Sequence, residues 1–350
     1  MRLAGRAGFL TVAAMLVLFV AYPQDSAPPS ETKLPALIGI GQDYFHKAPP
    51  ADPDAFTISS DVELVLLDVS VKDSEGGFVS GLSKDSFRIY DEGKPVPITV
   101  FASQDAPVTV GLVVDNSGSV RPKRPEVVTA ALTFVQRSNP HDEMFVVNFN
   151  DSVWFGLPPA IPFSDNIHQL RSALLSNPTQ GRTALYDAVK AALIHLEKGR
   201  MDKKTLVVIS DGGDNASETS EKDVVEMAER SLATIYTIGI YDPDAKDKNP
   251  GFLKKLANLT GGLYFHPQEL RFLVRDCEQI AKDIRSRYTL GFVPAAHDDP
   301  GQRRVRRIKV IATGENQRPL KVRTRTHYVA GHSHVKSRSQ DLSRGEKRPE

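Results

Sequence analysis

Residues 108–119 read VTVGLVVDNSGS, an apolar run that ends on an acid followed by two hydroxyls at alternating positions. An apolar stretch without alternation is the pattern of a strand buried on both faces, as in a parallel sheet covered by helices. Ligands of open parallel sheets bind outside the carboxyl ends of the strands, and Asp115 is expected at such an end. The spacing of Asp115, Ser117 and Ser119 lets a curving loop turn three oxygens toward one point, with Gly118 relaxing the backbone between the hydroxyls.

Working outward, strand and helix patterns alternate. The run RPEVVTAALTFVQRS reads as a helix, followed by the strand MFVVNFN and an edge hairpin around VWFG. TALYDAVKAALIHLEKG is a strong helix, with Leu185, Val189, Ala192, Leu193 and Leu196 on one face and Gly199 as its stop. Then come TLVVIS, the helix KDVVEMAERS, TIYTIGIY, the helix FLKKLANLTGG, the short strand LYFH and a long helix. In that last helix Leu270, Leu273, Val274, Cys277, Ile280, Ala281 and Ile284 share the apolar face, so Cys277 reads as a small core residue. Nearly unbroken apolar strands between amphipathic helices predict an α/β fold with a doubly wound, mostly parallel sheet over residues 107–286.

The flanks differ. Residues 57–106 and 287–330 hold short apolar runs broken by EGG, DEG, HDDPGQ and GENQRP, the pattern of strands and hairpins. Neither piece has enough strands for its own core, so the two are expected to pair in one discontinuous β-sandwich into which the α/β domain is inserted. Within LKVRTRTHYVA, Leu320, Val322, Thr324, Thr326 and Tyr328 fall on one side and Lys321, Arg323 and Arg325 on the other, predicting one strand with a core face and a wet face. Residues 23–56 are Pro-rich and read as a linker, and 331–350, including the HSH at 332–334, as a disordered tail.

Whole-chain properties narrow the function classes. The chain has 350 residues, a formal net charge of +1 and one cysteine, which excludes an internal disulfide framework and gives no reason to expect a nucleic-acid partner. Arg2 and Arg6 precede the apolar GFLTVAAMLVLFVAY, so residues 1–22 read as an export signal. No small-x-small cleavage site follows, which leaves a signal peptide and a membrane anchor both open. The expected location is periplasmic, secreted or membrane-anchored.

Two hydroxyls and one carboxylate are too few to hold a hard cation. The missing oxygens are offered at other strand or loop ends: Thr183 in GRTALYDAV and Asp211 in VVISDGGDN. An all-oxygen set of this kind suits Mg2+ best, with Mn2+ or Ca2+ as alternatives, rather than zinc. These residues resemble the metal-ion-dependent adhesion site of the von Willebrand factor A-type domain family, a D-x-S-x-S loop joined by a later Thr and a later Asp. Asp115, Ser117, Ser119, Thr183 and Asp211 match it in order, and the resemblance covers roughly Pro107 to Ser286. With its β flanks, the chain also resembles exported bacterial proteins that carry a VWFA-related domain. The resemblance implies an exported, metal-dependent adhesion module that binds a protein partner through an Asp or Glu of that partner.

The same residues admit other readings. D-x-S-x-S alone is common in turns, because Asp and Ser bond their own backbone. Asp214 and Asn215 read as loop-shaping residues, and His141, Asp142 and Glu143 as a polar turn. An aspartyl phosphotransferase adds a second acid two residues on, where Ser117 stands here, and a Lys at a later strand end, which is missing after Val208 or Ile209. A hydrolase needs a base near Ser117 or Ser119; His266, the nearest in pattern, is expected to close a strand. The alternative outside catalysis is an assembly component of an envelope complex bound mainly through the sandwich.

Overall fold

The computed structural model describes residues 64–330, apart from 104, 177, 242–247 and 295–303. The charged and apolar start, the Pro-rich stretch and the HSH tail lie outside the described residues.

In chain order the elements are β1 (Val65–Lys72), β2 (Phe87–Asp91), β3 (Lys94–Val96), β4 (Val100–Ala102), β5 (Val108–Asp115), α1 (Arg124–Arg137), β6 (Glu143–Phe149) and β7 (Val153–Phe155). They continue with α2 (Ile167–Leu174), α3 (Leu185–Leu196), β8 (Lys203–Ser210), α4 (Glu221–Arg230), β9 (Thr234–Gly239), α5 (Pro250–Thr260), β10 (Tyr264–Phe265) and α6 (Leu273–Arg285). The last are β11 (Tyr288–Phe292), β12 (Arg304–Ala312), β13 (Lys321–Arg323) and β14 (His327–Ala330).

A six-stranded sheet runs in the order β10-β9-β8-β5-β6-β7, parallel throughout except for the antiparallel edge strand β7. Every residue of β5 is buried, because helices cover both faces: α1 packs on α2 and α6, and α4 packs on α3 and α5. The periodic positions of α3 and the Cys277 face of α6 are buried as their spacing requires. Helix α2 was not foreseen; its Asn166 cap accepts from the backbone N–H groups of His168 and Gln169.

Two four-stranded sheets, β13-β1-β11-β4 and β14-β12-β2-β3, form the second body. Each mixes strands from before and after the α/β segment: β1 pairs with β11 from Val65↔Phe292 to Val69↔Tyr288, and β2 pairs with β12 from Phe87↔Ala312 to Asp91↔Ile308. Val69, Phe87, Ile89, Tyr288, Leu290 and Phe292 are core residues of this sandwich.

One expectation fails here. LKVRTRTHYVA is not a single alternating strand: it changes sheets, with β13 beside β1 and β14 beside β12. Between them Thr326 is exposed and Arg325 is buried. The reason is tertiary. At this crossing the chain passes over Gly261, the left-handed cap of α5 (φ 80°), where a Cβ would come within 2.5 Å of the Thr324 and Arg325 backbone. There Arg325 turns inward and donates to the Ser231 carbonyl at 2.6 Å.

The seam between the two bodies is held by an ion pair. Asp283 on α6 and Arg287 are 2.8 Å apart, with side chains 0% and 3% exposed. Asp283 also accepts from the Ser70 hydroxyl of β1 and the Tyr236 hydroxyl of β9, each at 2.6 Å. Arg287 further donates to the carbonyls of Asp68 and Gly261. This one cluster therefore ties strands of both bodies to the last helix.

Candidate metal centre

Three loops meet at the carboxyl end of the six-stranded sheet, one after β5, one before α3 and one after β8. Backbone bonds lace them together. Asn116 N–H donates to the Phe149 carbonyl, Gly118 N–H to the Gly181 carbonyl, and Ala184 N–H to the Asn150 carbonyl. Gly181 is left-handed (φ 84°), and a Cβ there would strike the Asp151 carboxylate. Asn215 and Ala216 both donate to the Thr183 carbonyl, while the Asn215 side chain accepts from Thr183 N–H at 2.9 Å.

On this frame the structure brings Ser117, Ser119 and Asp211 into one cluster beside Asp115. The Ser117 and Ser119 hydroxyls lie 3.1 Å apart, and Ser119 donates to Asp211 Oδ2 at 2.7 Å. Asp115 is fully buried; its carboxylate accepts from Ser117 N–H at 2.8 Å and from the Ser210 hydroxyl at 2.7 Å. Thr183 is 6% exposed, and its backbone position is fixed by Asn215. Among the described residues no hydrogen bond joins the Thr183 hydroxyl to the other four side chains.

Burial first and the Asp211 charge second push the Asp115 carboxyl up to about 6, against the pull of hydrogen bonds from Ser117 and Ser210. Two carboxylates held close enough to repel one another in a buried place are the condition a divalent cation relieves. The contacts of 3.1 and 2.7 Å bring the oxygens of Ser117, Ser119 and Asp211 near enough to share one ion with ligands at about 2.0–2.1 Å. The donor set, its charge and its spacing therefore fit a hard divalent cation.

Sequence reasoning missed two residues near Asp115. Ser210, directly before Asp211, was legible as a hydroxyl at a strand end; it donates to the Asp115 carboxylate. Arg124 opens α1, donates to the Leu174 carbonyl and has its pKa drawn down to about 10 by burial, partly opposed by the Asp115 charge. Nothing local marks that placement. Asp214 and Asn215 shape their loop: Asp214 accepts from Tyr186 N–H and the Ser217 hydroxyl. Asp142 and Glu143 do more than form a polar turn. Both are buried, Asp142 holding Val108 N–H at the start of β5 and Glu143 the Thr109 hydroxyl and Arg200.

A family model described as von Willebrand factor type A domain matches residues 110–285, just over half of the chain. No curated protein sequence matches the chain. Among solved structures, a von Willebrand factor type A protein from Catenulispora acidiphila is 12% identical, covering 76% of this chain and 73% of its own, with a TM-score of 0.46. The manganese-loaded TRAP protein of Plasmodium vivax is 15% identical, with coverage of 67% and 96% and a TM-score of 0.42. The vWF domain of the type V pili tip protein Mfa5 from Porphyromonas gingivalis is 13% identical, with coverage of 52% and 96% and a TM-score of 0.44. By the family model, which spans β5 to α6, the chain belongs to the von Willebrand factor type A domain family.

Proposed function

We propose that this chain is an exported protein-binding module in which Asp115, Ser117, Ser119, Thr183 and Asp211 hold a divalent cation, best Mg2+, and the site takes an Asp or Glu side chain of a protein partner. The observation that supports it most is the convergence of Ser117, Ser119 and Asp211 beside the buried Asp115. A bound cation supplies an open position that an incoming carboxylate can fill. The chain's own residues do the rest. Ser210 and Ser117 N–H orient Asp115, Gly213 N–H bonds the second oxygen of Asp211 at 3.1 Å, and Asn215 fixes Thr183.

Binding without chemistry is the reading these contacts favour. The hydroxyls of Ser117 and Ser119 bond each other and Asp211, and His266 is engaged with the Gly239 carbonyl beside Tyr241. Export rests on the charged and apolar residues 1–22. The test is capture of partners by the full chain with Mg2+ and with chelator, followed by titration of a captured protein against Asp115→Ala and Thr183→Ala. The expected result is chelator-reversible binding that both variants lose. Equal affinity in every condition would show that this face is not the adhesive surface.

A further inference from the structure

The other end of the same sheet carries a second feature. A cavity of about 380 Å3 lies between the amino-terminal edge of the parallel strands and the sandwich sheet β13-β1-β11-β4. Its volume falls in the range of about 300–1,000 Å3 typical of small-molecule sites, which occur preferentially at domain interfaces. Leu66, Val100, Ala102, Pro107, Met201 and Leu232 give it an apolar wall.

The polar wall holds the carboxylates of Asp68 and Asp202 beside Arg200, Lys203 and Arg325, and among the described residues neither carboxylate pairs with Arg325. Arg325 is 6% exposed, and its guanidinium donates to the carbonyls of Ser231 and Ala233. Carbonyls satisfy N–H groups and leave the charge in place. Among the described residues no carboxylate lies within ion-pair distance of Arg325, whereas the buried Arg287 and the mostly buried Arg306 each have an aspartate at 2.8 Å. Burial lowers the Arg325 pKa to about 10, with the more distant Asp68 opposing. The neighbouring Thr324 also lines the cavity, and its hydroxyl is buried behind that wall with no hydrogen-bond partner among the described residues. Lys203 lines the same wall and, among the described residues, its ammonium donates to the Arg287 carbonyl at 3.5 Å. A buried cation without a counter-charge and an idle hydroxyl beside it are both costly unless something else meets them.

We propose that this cavity is a binding site for a small amphipathic monocarboxylate, with its head group at Arg325 and Lys203 and its apolar body along Leu66, Val100 and Leu232. Asp68 and Asp202 on the same wall decide against a dianion such as phosphate, since a second negative charge would face them. The site is independent of the cation reading at the opposite end of the strands.

The test uses three probes of one length on the full chain: octanoate, octan-1-ol and octylammonium, titrated by calorimetry. Octanoate is expected to bind saturably and about tenfold or more tightly than the other two, the margin of a charge-assisted hydrogen bond. Arg325→Met and Ala102→Trp are each expected to weaken octanoate by about tenfold or more. Because Arg325 also ties down Ser231 and Ala233, its variant can lose stability. Ala102 lies on the exposed edge strand β4, so its variant fills the cavity without touching those bonds. Octanol binding as tightly as octanoate would reduce the cavity to an apolar cleft. Tighter octylammonium would put Asp68 in charge. Octanoate affinity unchanged in Ala102→Trp, or no saturable binding by any probe, overturns the proposal outright.

Discussion

At the carboxyl end of the six-stranded sheet, two carboxylates, Asp115 and Asp211, are brought together in buried surroundings, and the Asp115 pKa is pushed up. At the seam with the sandwich, Asp283 is equally buried, but it faces Arg287 and two hydroxyls, and its pKa is held below the usual carboxylate range. Burial acts on both groups in the same direction; what differs is the company. Like charges gathered in a low-dielectric place are unfavourable unless an ion from outside joins them. Opposite charges with their lone pairs filled are complete in themselves. The difference separates a cluster whose charges repel from one whose charges hold the chain.

The largest expected effect breaks the second cluster. Asp283→Ala leaves Arg287 buried beside unpaired Ser70 and Tyr236 hydroxyls, and a loss of about 3–5 kcal/mol is expected in urea unfolding. Replacing both partners, as in Asp283→Leu with Arg287→Met, is expected to recover part of it. A loss below about 1 kcal/mol from the single change would mean that the seam does not depend on the pair, and the contrast between the clusters would collapse.

Next in size is the response to metal. With Mg2+ at about a hundred times its dissociation constant, the intact chain is expected to gain about 2.7 kcal/mol in unfolding free energy. Asp115→Asn is expected to lose that gain while keeping most of its metal-free stability, because the change removes the charge that Asp211 repels and leaves an oxygen to accept from Ser117 N–H or the Ser210 hydroxyl. A destabilised but folded seam variant, such as Asp283→Asn, should keep the full metal increment. An Asp115 variant that still gains from Mg2+ would place the cation elsewhere.

These contrasts were unevenly legible in the sequence. Asp115, Ser117 and Ser119 could be read because they lie within five residues of one another at the end of a run that declares itself buried. Asp211 could be read because another apolar strand ends on it. The helix faces of α3 and α6 followed from apolar spacing alone. The seam could not be read. Asp283 lies between Lys282 and Ile284 in α6, and its partners Ser70 and Tyr236 are 213 and 47 residues away. Periodicity marks which face of a helix is covered; it does not mark an acid that becomes buried because another body docks over it. Arg325 failed for the same reason: its alternation with Thr324 and Thr326 predicted a wet side, and the change of sheet at Gly261 reversed it. Helix α2 escaped notice because eight residues carry too few apolar positions to establish a period.

A smaller effect comes from acid. Burial alone would raise the Asp283 pKa, but Arg287, Ser70 and Tyr236 more than offset it, so the folded chain binds this proton less tightly than the unfolded chain. The unfolded state therefore takes up the proton first as pH falls. The stabilisation is present above the ordinary carboxylate value of about 3.9 and is lost as pH drops toward the lower folded value, with a slope of up to about 1.4 kcal/mol per pH unit. Urea midpoints measured from about pH 5 down to about pH 3 should show this limb in the intact chain and a shallower one in Asp283→Asn. Parallel limbs would show that Asp283 keeps an unshifted proton affinity and that the pair is not tightly coupled.

The smallest effect is expected at Thr324, where the hydroxyl is buried with no partner among the described residues, while the buried oxygens of Asp283 at the seam are bonded. A polar group left unsatisfied in the interior is unfavourable, and replacing it with an apolar group of the same shape is nearly neutral or stabilising. Valine has that shape. Thr324→Val is therefore expected to change unfolding free energy by less than about 1 kcal/mol, toward greater stability. At the seam, the comparable removal of the Ser70 hydroxyl by Ser70→Ala takes a 2.6 Å bond from Asp283 and is expected to cost about 1.5–3 kcal/mol, the range for a bond to a charged group. Urea unfolding of the two variants side by side measures the difference. If Thr324→Val costs as much as Ser70→Ala, the Thr324 hydroxyl is bonded in solution, and the contrast between it and the seam fails.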